Sequence, residues 1–238
     1  ARLVFISPCK GMDEIYYSAS LYIINADGSG LIQIETVPGG DFEPTWSPDG
    51  KAIAFTSLRT GQMEIFTVNL DNPASPTQLT KNASRIDSRQ PAWSTDGSQI
   101  VYTAKRFGVN QIWLMNADGS EPQQIVRSGV VYTDYLPTWS PDGTVILFNQ
   151  RCATKFCLPH LMSISATDHS IEQATKLNFN IITIENADYS PDGSLIAYEG
   201  GESGTNNDIF YVDISGENRV RITTDPNPDF NPAWRPVP

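Results

Sequence analysis

Pro44-Thr45-Trp46-Ser47-Pro48-Asp49-Gly50 is the stretch on which the reading of this chain rests. It recurs as Pro91-Ala92-Trp93-Ser94-Thr95-Asp96-Gly97 and again as Pro137-Thr138-Trp139-Ser140-Pro141-Asp142-Gly143. A fourth copy, Ala187-Asp188-Tyr189-Ser190-Pro191-Asp192-Gly193, puts Tyr where the others have Trp. A fifth, Pro232-Ala233-Trp234-Arg235-Pro236, breaks off near the last residue. The aromatic anchors 46, 93, 139, 189 and 234 lie 47, 46, 50 and 45 residues apart. Nine positions after each full anchor stands a second aromatic: Phe55, Tyr102, Phe148 and Tyr198. Self-similarity at such a period marks one supersecondary unit repeated along the chain.

Within each repeat the residues are those of strands. Ala52-Ile53-Ala54-Phe55 and Val145-Ile146-Leu147-Phe148 follow their Ser-Pro-Asp-Gly turns directly. A second apolar run comes next, as in Leu21–Ile24, Glu64–Val68, Ile112–Met115 and Ile209–Val212, then an Asp-Gly turn and a shorter strand such as Thr77–Thr80. Short β-rich runs bounded by Asp-Gly and Pro read as hairpin strands. Pro presets φ at the second turn position and Gly tolerates the positive φ where the chain leaves. Four short antiparallel strands, a to d, repeated radially every ~45 residues, predict an all-β chain: a five-bladed β-propeller of four-stranded antiparallel blades. Leu3–Ser7 resembles strand b of the other repeats, and Pro232–Trp234 would supply the strand a that the first blade lacks. With the ends joined, Phe5 falls nine positions after Trp234 and the five periods account for all 238 residues. That whole-number count favours a closed ring, one domain over residues 1–238, against an open fragment of a larger propeller.

Composition agrees. There are 17 Gly, 17 Pro and 10 % aromatics, and 39 % hydrophobic residues suffice for a core in a chain of this length. Sixteen basic against 27 acidic residues give a net charge of −11, which argues against nucleic acid or anionic lipid as partner. No run approaches the ~20 apolar residues of a membrane span. With strand b opening at Leu3, the chain reads as a mature or excised domain.

The repeated aromatic-Ser-Pro-Asp-Gly turn, the apolar strand ending near Ser and the Asp-Gly hairpin resemble the TolB-type propeller repeat, over almost the whole chain. The resemblance implies a location outside the cytoplasm, periplasmic or extracellular, and a binding or scaffold role. The family includes periplasmic scaffolds, propellers beside peptidase domains, and receptor or kinase ectodomains. Its namesake has six blades and an additional N-terminal domain, where five blades are counted here. Three cysteines are compatible with an oxidising compartment. Cys152 and Cys157 could close a small hairpin disulfide, Cys9 has no obvious mate, and a metal site among them is not expected.

Blade connectivity puts the short a–b and c–d turns at one end and the b–c loops with the d–a crossovers at the other. The loops 8–20, 58–62, 105–110, 151–160 and 200–207 vary in length and composition, as do the crossovers 36–43, 81–90, 127–136, 178–186 and 224–231. Variable loops on a rigid scaffold are where recognition residues sit. Five positions before the anchor stand Asp41, Asp134 and Asp229, with Ser88 and Ile184 in the other blades. Three before it stand Glu43, Gln90, Leu136, Asn186 and Asn231, with Asp87, Tyr135 and Glu185 nearby. Radial symmetry would gather these carboxylates round one channel mouth, which could attract the basic end of a peptide or a calcium ion. The acidic, peptide-receiving mouth that the TolB resemblance implies is similar. Each Asp capping its own crossover is the structural alternative. Tyr16, Tyr17, Phe42, Phe107, Tyr132, Tyr135, Phe156, Phe179 and Phe230 belong to this end; some must pack between blades, and those exposed would be interface anchors.

Catalytic candidates are few. His160 and His169 are the only histidines, Gly201-Glu202-Ser203-Gly204-Thr205 misses the nucleophile elbow at its last place, and no phosphate loop is present. The leading expectation is a non-catalytic module, without cofactor and monomeric, that binds a protein or peptide at the loop end. The alternative is a carbohydrate-active enzyme or lectin using two mouth carboxyls from Asp41, Asp134, Glu185 and Asp229.

Overall fold

Each Ser-x-Asp-Gly turn is built by its own side chains. Ser47 Oγ donates to Asp49 Oδ1 (2.7 Å) and accepts the Ala52 N–H (2.9 Å), while Asp49 Oδ1 also accepts the Lys51 N–H (3.0 Å). Gly50, at φ 67°, closes the turn with its N–H on the Ser47 carbonyl. The same set of bonds recurs at Ser94/Asp96, Ser140/Asp142 and Ser190/Asp192. A reverse turn whose donors and acceptors are met locally fixes the register of the strands that flank it.

The structure, a computed structural model, describes residues 1–7, 19–34, 37–83, 86–127, 129, 131–152, 159–173, 181–202, 206–224, 226–229, 232 and 234. The described strands form five antiparallel sheets, the blades of a five-bladed β-propeller. The first holds β1 (Arg2–Ser7), β2 (Ser20–Asn25) and β3 (Ile32–Gln33). The second holds β4 (Asp41–Trp46), β5 (Ala52–Ser57), β6 (Glu64–Asn69) and β7 (Thr77–Gln78). The third holds β8 (Ser88–Trp93), β9 (Gln99–Arg106), β10 (Val109–Asn116) and β11 (Gln123–Gln124). In the fourth are β12 (Tyr132–Trp139), β13 (Val145–Cys152), β14 (His160–Ser165) and β15 (Ile171–Gln173). The fifth comprises β16 (Ile181–Tyr189), β17 (Leu195–Glu202), β18 (Asn207–Asp213) and β19 (Val220–Arg221). In the four-stranded sheets the order follows the chain, so each anchor aromatic ends the first strand of its blade, as the repeat predicts. No helix is long and apolar enough to cross a membrane among the described residues.

Two compact units divide the chain: Ala1–Arg106 with Trp113–Gln123, and Phe107–Ile112 with Gln124–Pro238. Within the first, Ile53, Phe55, Phe66 and Val68 of the second blade pack on Leu21 and Ile23 of the first. Ala54 and Ile65, on the opposite face of that blade, meet Ile100, Tyr102 and Trp113. Both faces of the blade are therefore buried, which is why its strands read as continuous apolar runs rather than alternations. In the second unit Leu147 and Leu161 of the fourth blade pack on Ile196, Tyr198, Phe210 and Val212 of the fifth.

The closing strand expected from Pro232–Trp234 depends on residues 231, 233 and 235–238, outside the described set. Trp234 itself donates its indole N–H to the Asp188 carbonyl (3.1 Å) of β16. Cys152 is disulfide-bonded. Cys9 and Cys157 both fall outside the described residues, and so does the expected Cys152–Cys157 pairing.

Candidate functional site

In each four-stranded blade the first strand breaks its register with a bulge at the loop end. The shifts fall between Phe42 and Thr45, Arg89 and Ala92, Tyr135 and Thr138, and Glu185 and Asp188. Inside each sits a residue in the left-handed region: Glu43 (φ 52°), Gln90 (φ 56°), Leu136 (φ 53°) and Asn186 (φ 50°). These are the positions three before the anchor. A bulge adds one unpaired residue and re-aims its side chain, and holding a non-glycine residue there stores strain of order 1 kcal/mol.

In the first unit the side chains so placed bind one another. Glu43 accepts from Thr56 Oγ1 (2.7 Å), from the Gln90 N–H (2.9 Å) and from the Arg89 guanidinium, tying the second blade to the third. Gln90 Oε1 accepts from Thr103 Oγ1 (3.1 Å). Asp41 is fully buried, and Arg59 Nη2 lies 3.1 Å from each of its carboxylate oxygens. Burial pushes the Asp41 carboxyl up, and the Ser57 hydroxyl and the Arg59 charge oppose this. Arg59 is itself stacked 4.7 Å from the Phe66 ring centroid and 5.3 Å from that of Phe55. Asp87 is half-buried and accepts the Met63 N–H at 3.3 Å.

In the second unit Asp134 is fully buried and accepts from Gln150 Nε2 (2.8 Å). Tyr135 is also buried, with the Arg151 guanidinium 5.0 Å from its ring centroid. Burial first, and then the charge of Glu185, push its phenol up to about 12, against the pull of Arg151. Glu185 is half-buried and faces Glu199 across the β16–β17 ladder. Burial and then the Glu199 charge raise its pKa, again against Arg151. Asn186 Nδ2 donates to Glu199 Oε1 (2.6 Å). Asp229 donates its N–H to the Asn207 carbonyl (2.8 Å), and its Oδ2 is shielded from solvent without a hydrogen-bond partner among the described residues. Asn231 lies outside the described residues.

Of the carboxylates expected at the mouth, Asp41 and Asp134 thus lie inside the protein and present nothing to solvent. Glu43, Gln90, Glu185 and Asn186 are half-buried at the loop end of their own units. Both Asp41 oxygens face a guanidinium, and no group of three or more His, Cys, Asp or Glu residues is placed to hold a metal among the described residues.

Two features escaped the sequence reading. Thr56, Thr103, Asn149 and Glu199 stand ten positions after their anchors, one past the aromatic. That polar position was legible, and three of the four bond directly to the left-handed residue of their own blade. The second is Phe107, 93 % exposed at the tip of the β9–β10 connection. Phe107 (φ 51°) and Gly108 (φ 85°) both have positive φ, the signature of a two-residue type I′ turn. Sequence reasoning placed Phe107 on a loop but gave neither its backbone nor its exposure.

Residues 18–237 match the family model described as TolB beta propeller domain. The Tol-Pal system protein TolB of Francisella tularensis subsp. mediasiatica is 27 % identical over 229 residues, 92 % of this chain and 49 % of its own length. That of Bordetella pertussis is 43 % identical over 54 residues, 22 % of this chain and 12 % of its own. The crystal structure of TolB from Acinetobacter baumannii superposes with a TM-score of 0.70 at 22 % identity, over 86 % of this chain and 49 % of that one. This last likeness is one of fold. The chain spans about half, or less, of the length of these relatives.

Proposed function

We propose that this chain, which belongs to the TolB β-propeller domain family, is a non-catalytic binding module that recognises a protein or peptide through the loop end of its blades. The observation that carries the reading is Phe107. Type I′ turns favour Asn-Gly because the first residue must take positive φ, and phenylalanine there is strained by roughly 1 kcal/mol. Its ring, 93 % exposed, gains nothing from burial in return. Two local costs with no structural benefit are what a partner-binding anchor looks like in the absence of the partner. The TolB relatives bear the name of a Tol-Pal system protein, which supports a protein partner. The disulfide at Cys152 supports an oxidising, periplasmic or extracellular location.

The test separates recognition from folding. Peptides selected from a displayed library on the parent chain are measured against Phe107→Asn and Phe107→Ser. Asn suits the turn, so Phe107→Asn is expected to raise stability by about 0.5–1 kcal/mol while binding falls at least about tenfold. Selected peptides that bind Phe107→Asn as well as the parent would refute the loop-end reading.

One observation favours a second reading, a sugar-active site. Glu185, its pKa raised by burial and then by the charge of Glu199 opposite, is the kind of group that could serve as a general acid. Turnover of arabinose- or fructose-containing oligosaccharides that Glu185→Gln slows would establish it. No turnover across such a panel leaves binding.

A further inference from the structure

At the turn end of the blades, a cleft runs between successive Ser-x-Asp-Gly turns in each unit. In the first unit a cleft of about 590 Å³ is lined by Asp49, Asp96, Trp93, Pro48 and Lys51 among others. In the second a cleft of about 760 Å³ is lined by Asp142 and Asp192 with Tyr189, Pro191, Ile196 and Ile214. These are two copies of one architectural feature, and they differ in charge. Asp49 is held below the usual carboxylate range by the Ser47 hydroxyl and then the Lys51 N–H, and Lys51, which follows the glycine of its turn, adds the pull of its charge. The second unit has Thr144 and Ser194 in that place. Asp142 is held below the usual carboxylate range by the Ser140 hydroxyl and then the Thr144 N–H, and Asp192 is held at about 2 by Ser190 and Ser194. No cationic side chain contributes to either shift. The hydroxyl and N–H donors all bond Oδ1, and Oδ2 of each aspartate makes no hydrogen bond among the described residues.

The second cleft also carries an exposed aliphatic side chain at its lip. Ile214 is 62 % exposed, at a position where three other blades carry Ala26, Ala117 and Ala166. Tyr189 ends β16 at the cleft, its phenol pushed up to about 12 by burial and then by the Asp142 charge. The cleft therefore combines two ionised carboxylates that have no cationic partner among the described residues with an aromatic, proline and aliphatic lining.

We propose that this cleft is a docking site for an extended segment of a partner protein. One arginine or lysine of the segment pairs with Asp142 and Asp192, and a neighbouring proline or aliphatic residue packs on Tyr189 and Ile214. Charge complementarity selects this occupant: the cleft presents anionic oxygen atoms where its counterpart in the first unit has a built-in lysine. The net charge of −11 adds long-range attraction for such a segment. This site is separate from the loop end and does not depend on Phe107.

The probe is acetyl-Leu-Arg-Pro-amide, with citrulline replacing arginine in the control, titrated into the 15N-labelled chain by NMR. Saturable shifts are expected at the Thr144, Ser194 and Ile214 amides, weakening severalfold between about 20 mM and about 500 mM salt. Thr144→Lys restores the cation that Lys51 supplies in the homologous turn, so it keeps the fold. It is expected to cut affinity at least about fivefold, and Ile214→Ala about twofold to threefold. The proposal is overturned if the citrulline peptide binds equally, if Thr144→Lys binds like the parent, or if shifts map elsewhere or do not saturate.

Discussion

Arg59→Ala would leave the buried Asp41 carboxylate without its counter-charge. In the parent, Arg59 Nη2 is 3.1 Å from each Asp41 oxygen, and the exposures of the two side chains are 15 % and 0 %. Removing one member of so buried a pair costs about 3–5 kcal/mol, mostly the penalty of a lone charge in a poorly solvated site. With an unfolding entropy of about 2.1 cal/mol/K per residue, a chain this long loses about 6–10 °C in Tm. Arg59→Met combined with Asp41→Asn strands no charge and should recover most of that loss. The pH dependence carries a definite sign. Asp41 has a raised folded-state pKa, so the folded protein binds the extra proton between the unfolded value and the raised one. Stability from this group therefore rises as pH falls through that window, and more so in Arg59→Ala, where the guanidinium no longer opposes burial. Scanning calorimetry of parent, single and double variants at pH 7 and pH 5 checks both statements. Arg59→Ala melting within about 1 °C of the parent would refute the reasoning and return Asp41 to the candidates for ligand contact.

Two further outcomes follow from the turns. Gly119 has φ +86°, and a Cβ there would sit 2.8 Å from the Leu79 carbonyl oxygen, whereas Gly28 at φ +85° has nothing within 4 Å. Gly119→Ala should lose about 1–3 kcal/mol more than Gly28→Ala, which bears the backbone strain alone; equal melting temperatures would remove the clash. By 13C NMR, Asp96 and Asp192 should titrate at about 2, and Glu185 and Asp188 above the ordinary carboxylate range. The turn aspartates then contribute stability that is complete above the unfolded pKa and lost as pH falls towards about 2, while Glu185 and Asp188 act in the opposite sense. An Asp96 midpoint at about 3.9 would mean that its turn bonds do not hold in solution.

The blades were legible because their chemistry is local. Ser47, Asp49 and Gly50 close a turn from within, so the turn can be read wherever the string recurs, and the same holds at Ser94, Ser140 and Ser190. The loop end was legible only as a set of positions. Asp41 and Glu43, two residues apart, look equivalent in sequence. One is fully buried against Arg59; the other is half-buried and bridges two blades through Arg89 and Gln90. Which fate each meets depends on side chains 18 and 46 residues further along.

What the residue order determined by itself was the repeat, its strands, its turns and the count of five, because each depends on interactions within about ten residues. Tertiary structure alone decided which carboxylates are spent on internal pairs and which remain ionised at a surface. The lysine after the turn of Asp49 and the threonine after that of Asp142 can be read along the chain, but the clefts these carboxylates line form only when successive blades pack. Burial and counter-charge are properties of neighbours in space, and a strand's neighbours in the next blade lie a full repeat away along the chain.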